Sequence, residues 1–398
     1  MSASLIALFS LFGLAMAMGG FGGKDDPEPE EPTDPEHLNL VGSEAADTLS
    51  GEDGDDTLDG AAGNDLLSGG AGNDVIAAGA GQDSLSGGSG NDALYSWDIS
   101  EYDDFLGSDD EAGPSQLSGD DGDDTLYGMV VGDSLFGGAG NDLLLIDEAR
   151  ITAEGGEGND IFRFGPGAEY LDGLRQNVTL RGGAGDDLLD LNGADQDLFG
   201  DDGNDTIIAY WGDGNVLYGG TGDDALSLGG DGGSGGLYGG EGNDTITSRS
   251  SGDLQDVGDG NLLSGGDGDD RIEQFYRDAS TLRGGVGNDT FAVWDFDYDW
   301  RDAWDDEGWG EVSARAITID DFNPAEDLLI LGTADGTAPA YRIEMDSVAR
   351  EARVYLVDPD FQPDPDFPED TASEYLALLV TNIDAFDDSM LSFEQAPE

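Results

Sequence analysis

Residues 42–95 read GSEAADTLS GEDGDDTLD GAAGNDLLS GGAGNDVIA AGAGQDSLS GGSGNDALY, six nine-residue phrases with no gap between them. Aspartate holds the sixth place each time: Asp47, Asp56, Asp65, Asp74, Asp83 and Asp92. An aliphatic residue holds the eighth: Leu49, Leu58, Leu67, Ile76, Leu85 and Leu94. A fixed period of this kind marks a repeat architecture. Nine residues cannot pack alone, so each phrase must bury its aliphatic residue against its neighbours. The last three places alternate polar and apolar, as a short strand does. The first six are rich in Gly, Asn and Asp, the chemistry of a turn with positive φ. Turn and strand then alternate, every second strand stacks on the same sheet at about 4.8 Å, and two phrases make one coil. Aliphatic residues from two facing sheets meet inside, and each edge becomes a ladder of carboxylates and curved backbone. Stacked carboxylates repel, and no basic residue occurs between Lys24 and Arg150. A hard cation answers this need, and Ca²⁺ better than Mg²⁺, because the loops offer many oxygens without strict octahedral geometry. With no Cys and one His, zinc has no ligand set here.

The phrase resembles the hemolysin-type calcium-binding nonapeptide (RTX) repeat, G-G-x-G-x-D-x-U-x, with the nearest copies at residues 69–77, 87–95, 137–145 and 284–292. The resemblance spans roughly residues 42–292. It implies a right-handed parallel β-roll with Ca²⁺ held between loops of successive coils. It also implies export of the unfolded chain by type I secretion machinery reading an uncleaved C-terminal region, here ending Phe393-Glu394-Gln395-Ala396-Pro397-Glu398.

The two halves of the phrase fail separately along the chain. From residue 119 to 208, ten windows keep an apolar eighth place: Leu126, Leu135, Leu144, Ala153, Phe162, Leu171, Leu180, Leu189, Leu198 and Ile207. Their sixth places vary, with Ile151, Val178 and Gln196 among the aspartates. Complete loops at 119, 137 and 155 lie one coil apart, and so nearly do those at 182, 200, 219, 239, 265 and 284, which places them on one edge. The expectation is calcium along both edges in 42–95 and mainly along one afterwards, with about eleven ions at one per gap between same-edge loops. The carboxylate ligands are Asp47, Asp56, Asp65, Asp74, Asp83, Asp92, Asp124, Asp142, Asp160, Asp187, Asp205, Asp224, Asp244, Asp270 and Asp289. Backbone ligands come from loop glycines: Gly70, Gly72, Gly88, Gly90, Gly138, Gly140, Gly156, Gly158, Gly183, Gly185, Gly220, Gly222, Gly240, Gly242, Gly266, Gly268, Gly285 and Gly287. Asp133 and Glu169 sit at sixth places of poor loops and read as solvated.

The rest of the chain divides into segments. Residues 1–23 hold an apolar run short for a membrane span, ambiguous between a cleaved signal, an anchor and neither. Residues 24–41 form an acidic Pro-rich linker that includes the one histidine, His37, and 96–118 interrupt the repeats as an irregular insertion between blocks 42–95 and 119–292. Beyond 292 the aromatic and acidic residues of 294–300 alternate, and strands are expected near 317–324, 327–331, 341–345, 353–357 and 375–380. Residues 293–398 then make a small β domain that caps the last coil.

Composition bounds the partners. The 89 acidic and 14 basic residues leave a formal charge of −75, which excludes nucleic acid and anionic membranes as electrostatic partners. No H-E-x-x-H or P-loop occurs, and His37 has no nucleophile pattern around it. The sequence therefore reads as an all-β, non-catalytic, extracellular calcium-binding roll. Two alternatives stay open: an adhesin or matrix protein binding glycan through the aromatic stripe near Trp300, and a hydrolase.

Overall fold

Residue types within a coil sort onto two unequal strands. A six-residue strand such as Leu66–Ala71 turns Leu67 and Gly69 inward, and a three-residue strand such as Val75–Ala77 turns Ile76 inward. This is the period-two alternation of a half-buried sheet. Only Gly72, Asn73 and Asp74 join the first strand to the second, and Gly70 and Gly72 take positive φ to make that corner.

The computed structural model describes residues 37–97, 113–163, 177–210, 212, 214–230, 235–250, 260–275, 280–294, 317–333, 341–347, 349–357, 374–383, 385–386 and 390–395. Their strands form two sheets, of 16 and 15; up to residue 209 the six-residue strands lie in the first and the shorter ones in the second. Neighbours are parallel and in register, Leu67 against Leu85 and Ile76 against Leu94. The described residues thus form an all-β parallel β-roll. Its core is two facing columns of eighth-place residues, among them Leu58, Leu67, Leu126, Leu135, Phe162, Ile207 and Phe291, all fully buried.

Coil length varies in one place only. Throughout the repeats the link from a strand of the larger sheet to the next strand of the smaller one is three residues, whereas the return link absorbs every insertion. Ser84–Ser89 therefore pairs directly with Gln116–Asp121, so the two repeat blocks stack as one roll, and a strand begins inside the stretch expected to be irregular. Ala153 likewise pairs with Leu180, and Phe162 with Leu189. This corrects the unbroken register expected over 119–208. The register between these neighbours is nine residues longer than one coil, an excess that keeps the spacing count while strand pairing steps across it.

Past residue 292 both sheets continue. Thr290–Trp294 pairs with Leu328–Thr333 and that strand with Leu391–Gln395, while Ile317–Ile319 pairs with Glu374–Thr381. Antiparallel Glu351–Val357 and Tyr341–Asp346 then finish the larger sheet. The cap is a continuation of the roll, and Phe322 carries its aromatic core from Phe291 to Phe386 at centroid distances of 6.1 Å. The apolar run in 1–23, linker residues 24–36, Glu169, Leu171, the stripe at 295–309 with Trp300, and tail residues 396–398 lie outside the described residues.

Candidate metal centre

The short link between strands places one aspartate per coil on a single edge. Each Asp backbone N–H donates to Oδ1 of the Asp one coil on: Asp56 to Asp74, Asp74 to Asp92, and Asp92 to Asp124, all at 2.7 Å. The chain of bonds runs on through Asp142, Asp160, Asp187, Asp205, Asp224, Asp244, Asp270 and Asp289 at 2.6–3.0 Å. It crosses sequence separations of 32 residues at Asp92 and 27 at Asp160 without a break. Leu38 starts the ladder by donating to Asp56 Oδ1 at 2.6 Å. Asp327, outside the repeats, ends it by accepting from Asp289 N–H at 3.0 Å.

Oδ1 is thereby spent on the backbone, and Oδ2 is left over. Among the described residues, Oδ2 of Asp56, Asp74, Asp92, Asp124, Asp142, Asp160, Asp187, Asp205, Asp224, Asp244 and Asp270 on this edge is buried without a hydrogen bond, as is that of Asp65 and Asp83 on the other. A buried charge in this state is costly unless a counter-charge meets it. The surroundings are shaped for one. At Gly137 a Cβ would stand 2.3 Å from Asp142 Oδ2 and 2.5 Å from the Gly155 carbonyl, so only glycine leaves that space open. The carbonyl oxygens of Gly70 and Gly72 point at Gly88 and Gly90 of the next coil, where a Cβ would meet them at 2.0 and 1.8 Å. All the loop glycines named from the sequence have positive φ. Among the described residues no three acidic or histidine side chains cluster as a metal site, so a cation here needs those backbone carbonyls beside the carboxylates. An all-oxygen donor set of this kind fits Ca²⁺.

Electrostatics agree with the geometry. Burial raises Asp92, Asp142, Asp187, Asp224 and Asp270 to about 7, and neighbouring carboxylates push the same way. Asp124, Asp160, Asp205 and Asp289 rise to about 6, burial again first. Without a cation, the folded ladder binds protons more tightly than the unfolded chain does. Proton-linked stability is then fully present below about pH 4 and is lost as pH rises through 6 to 7. In a chelator, the strand signal in circular dichroism is expected to be stronger at about pH 5 than at about pH 8. A chelated chain equally unfolded at both values, or better folded at the higher, would contradict the buried ladder.

A second ladder flanks the first on the exposed side. Fifth-place residues bond in the opposite sense, each N–H donating to the coil before: Asn73 N–H to Asp55 Oδ1 at 2.8 Å and Asn91 N–H to Asn73 Oδ1 at 2.9 Å. Along this column Asp never follows Asp: 55, 123, 186, 223 and 269 are Asp, and 73, 91, 141, 159, 204, 243 and 288 are Asn. An Asn above an Asp adds a side-chain bond, as in Asn288 Nδ2 to Asp269 Oδ1 at 2.8 Å. The nonapeptide pattern allows either residue at this place, so sequence reading missed the alternation, which shows only when residues one coil apart are compared. His37 opens this column by accepting Asp55 N–H at Nδ1, 2.9 Å, and so belongs to the roll and not to the linker.

The opposite edge keeps the backbone bond while changing its chemistry. Asp47 and Asp65 donate to Asp65 and Asp83 at 2.8 Å, but Asp83 N–H then meets Ser115 Oγ at 3.1 Å. Farther on, Asn215 Oδ1 accepts from Gln196, Asn261 Oδ1 from Gly235, and Ser280 Oγ from Asn261. Neutral side chains thus take over the acceptor role. Asp133 is a correction: it is fully buried, not solvated. Ser115 N–H reaches its Oδ1 at 2.8 Å and Val130 N–H its Oδ2 at 3.0 Å, so its charge is met by the backbone. Asp47 also differs from its neighbours, because its Oδ2 accepts from Ser43 N–H at 2.6 Å and Ser43 Oγ at 2.8 Å.

Comparison with protein families returns one match. Residues 39–67, 61–94, 110–130, 118–145, 165–195, 192–226 and 237–256 match the RTX calcium-binding nonapeptide repeat. The ladder described above continues beyond those windows through Asp270 and Asp289 to Asp327. No curated protein matches the chain.

Proposed function

Because this chain carries RTX calcium-binding nonapeptide repeats on a parallel β-roll, we propose that calcium is what completes its fold. Bound between successive loops, Ca²⁺ would supply the positive charge that the ladder lacks. Asp carboxylates and loop-glycine carbonyls would hold it. The observation that carries this reading is the set of thirteen buried Oδ2 atoms without a hydrogen bond. The chain's own residues contribute the rest: Oδ1 fixes each carboxylate to the backbone of the neighbouring coil, and glycine keeps the space beside Oδ2 open.

Such a protein belongs where calcium is millimolar, so its place is outside the cell. The chain would leave unfolded and fold on arrival, its ladder held open by self-repulsion until the sites fill. Type I export accords with that order of events. The role is non-catalytic in this reading. Acid–base chemistry uses carboxylates whose environments push their pKa values apart, whereas ladder carboxylates such as Asp142, Asp187 and Asp224 are near-copies shifted the same way.

Ion counting tests the assignment. Atomic absorption on the chain dialysed against calcium is expected to give about thirteen ions, one for each such oxygen, with eleven on one edge and two on the other. Two or three ions would sink the proposal.

A further inference from the structure

The outer face of the larger sheet carries a column of side chains that the calcium reading leaves unused. Strand register aligns Arg181, Phe199, Tyr218, Tyr238, Ser264 and Arg283, one per coil. The rings of Phe199 and Tyr218 stack at 4.8 Å and 3°, those of Tyr218 and Tyr238 at 5.0 Å and 11°. The Arg181 guanidinium closes one end, 4.2 Å above Phe199. At the other end the next rung is Ser264, too short to continue the stack. The rung after it, Arg283, is drawn the other way by Asp320, through Nε at 2.8 Å and Nη2 at 2.7 Å.

We propose that this missing rung is a binding slot for one pyranose ring of a neutral saccharide. Tyr238 and Arg283 stand two strand spacings apart, roughly 9.6 Å. A flat ring entering above Ser264 lies about 5 Å from the Tyr238 ring, the spacing that the column already uses. One wall is an aromatic face suited to the C–H face of a sugar. The floor is the Ser264 hydroxyl, and the far wall a guanidinium whose side chain is 50% exposed. Gly236 makes room for the Tyr238 ring to lie down on the sheet, since a Cβ there would stand 2.8 Å from the ring.

Charge decides the class of saccharide. Asp320 already neutralises Arg283, and the chain carries a net −75, so a uronate polymer gains no cation and meets repulsion. The same rings cannot serve as a broad platform, because Phe199 spends its faces on Arg181 and Tyr218, and Tyr218 on Phe199 and Tyr238. Among the described residues only the last face of Tyr238 remains.

The calcium-loaded full chain is screened on an array of neutral and uronate oligosaccharides. The best neutral binder is then titrated calorimetrically against wild type, Tyr238→Ala and Ser264→Tyr, with a tryptophan-containing peptide as competitor. Binding of a neutral oligosaccharide is expected, weakened about tenfold or more by either substitution. Ser264→Tyr supplies the missing ring and is expected to leave strand signal and ion count unchanged, so its loss of binding cannot be laid to unfolding. No neutral ligand on the array, a preference for uronates or for the peptide, or unchanged affinity in Ser264→Tyr overturns the proposal.

Discussion

In excess EGTA at neutral pH, the strand signal in circular dichroism is expected to collapse, and millimolar Ca²⁺ to restore it. The thirteen Oδ2 atoms buried without partners set the size of the effect. An unsatisfied buried polar group costs roughly 1–3 kcal/mol, and more when charged. Even at the lower bound, their sum rivals the roughly 5–15 kcal/mol that ordinarily separates folded from unfolded. The eighth-place core does not offset this alone, because glycine, 66 residues of it, raises the entropy lost on folding. Magnesium at equal concentration is expected to restore little, since it demands octahedral geometry and gives up its water reluctantly. A spectrum indifferent to calcium would remove the basis of the proposed function.

Splitting the two oxygens of one aspartate is expected to separate two jobs. In Asp142→Asn the amide oxygen can still accept from Asp124 N–H, where Asp142 Oδ1 now accepts at 2.8 Å. Strands should stay stacked at saturating calcium, while one or two ions are lost and the calcium midpoint of folding rises about tenfold. Asp142→Ala also frees the Asp124 N–H inside the edge, and about 1–3 kcal/mol of stability goes with it. Asp133 is the control, because backbone groups occupy both its oxygens. Asp133→Ala should destabilise the roll and leave the ion count alone. Should Asp142→Asn bind as much calcium as wild type, Oδ2 is not a ligand.

The alternation of Gly, Asp and Leu was enough to name the roll, because each requirement is local. A positive φ, a carboxylate and an inward apolar residue all recur within nine positions. The gradual loss of aspartate from one edge was also legible, through Ile151, Val178 and Gln196. What replaced it was not. Ser115, Asn215, Asn261 and Ser280 look like ordinary loop residues until each is seen accepting, or standing in the column of residues that accept, the backbone bond an aspartate accepts elsewhere. The misplaced window at Leu171 shows the opposite hazard. Its spacing was right, yet Phe162 pairs with Leu189, so periodicity alone counted a half-coil that strand pairing steps across.

By itself, then, the sequence determined the repeating unit: which residue enters the core, which carries the charge, and that a hard cation must balance it. Tertiary structure decided which unit stacks on which. That choice rests on contacts between residues 18 to 38 positions apart, with separations set by insertions of unequal length. Insertions gather on one edge because the other is held by a continuous bonded ladder, in which any added residue would take an Asp N–H out of reach of its acceptor. The Asp and Asn alternation at the fifth place, the different fates of Asp133 and Asp142, and the gap above Ser264 all follow from that stacking. None is a property of nine residues read alone.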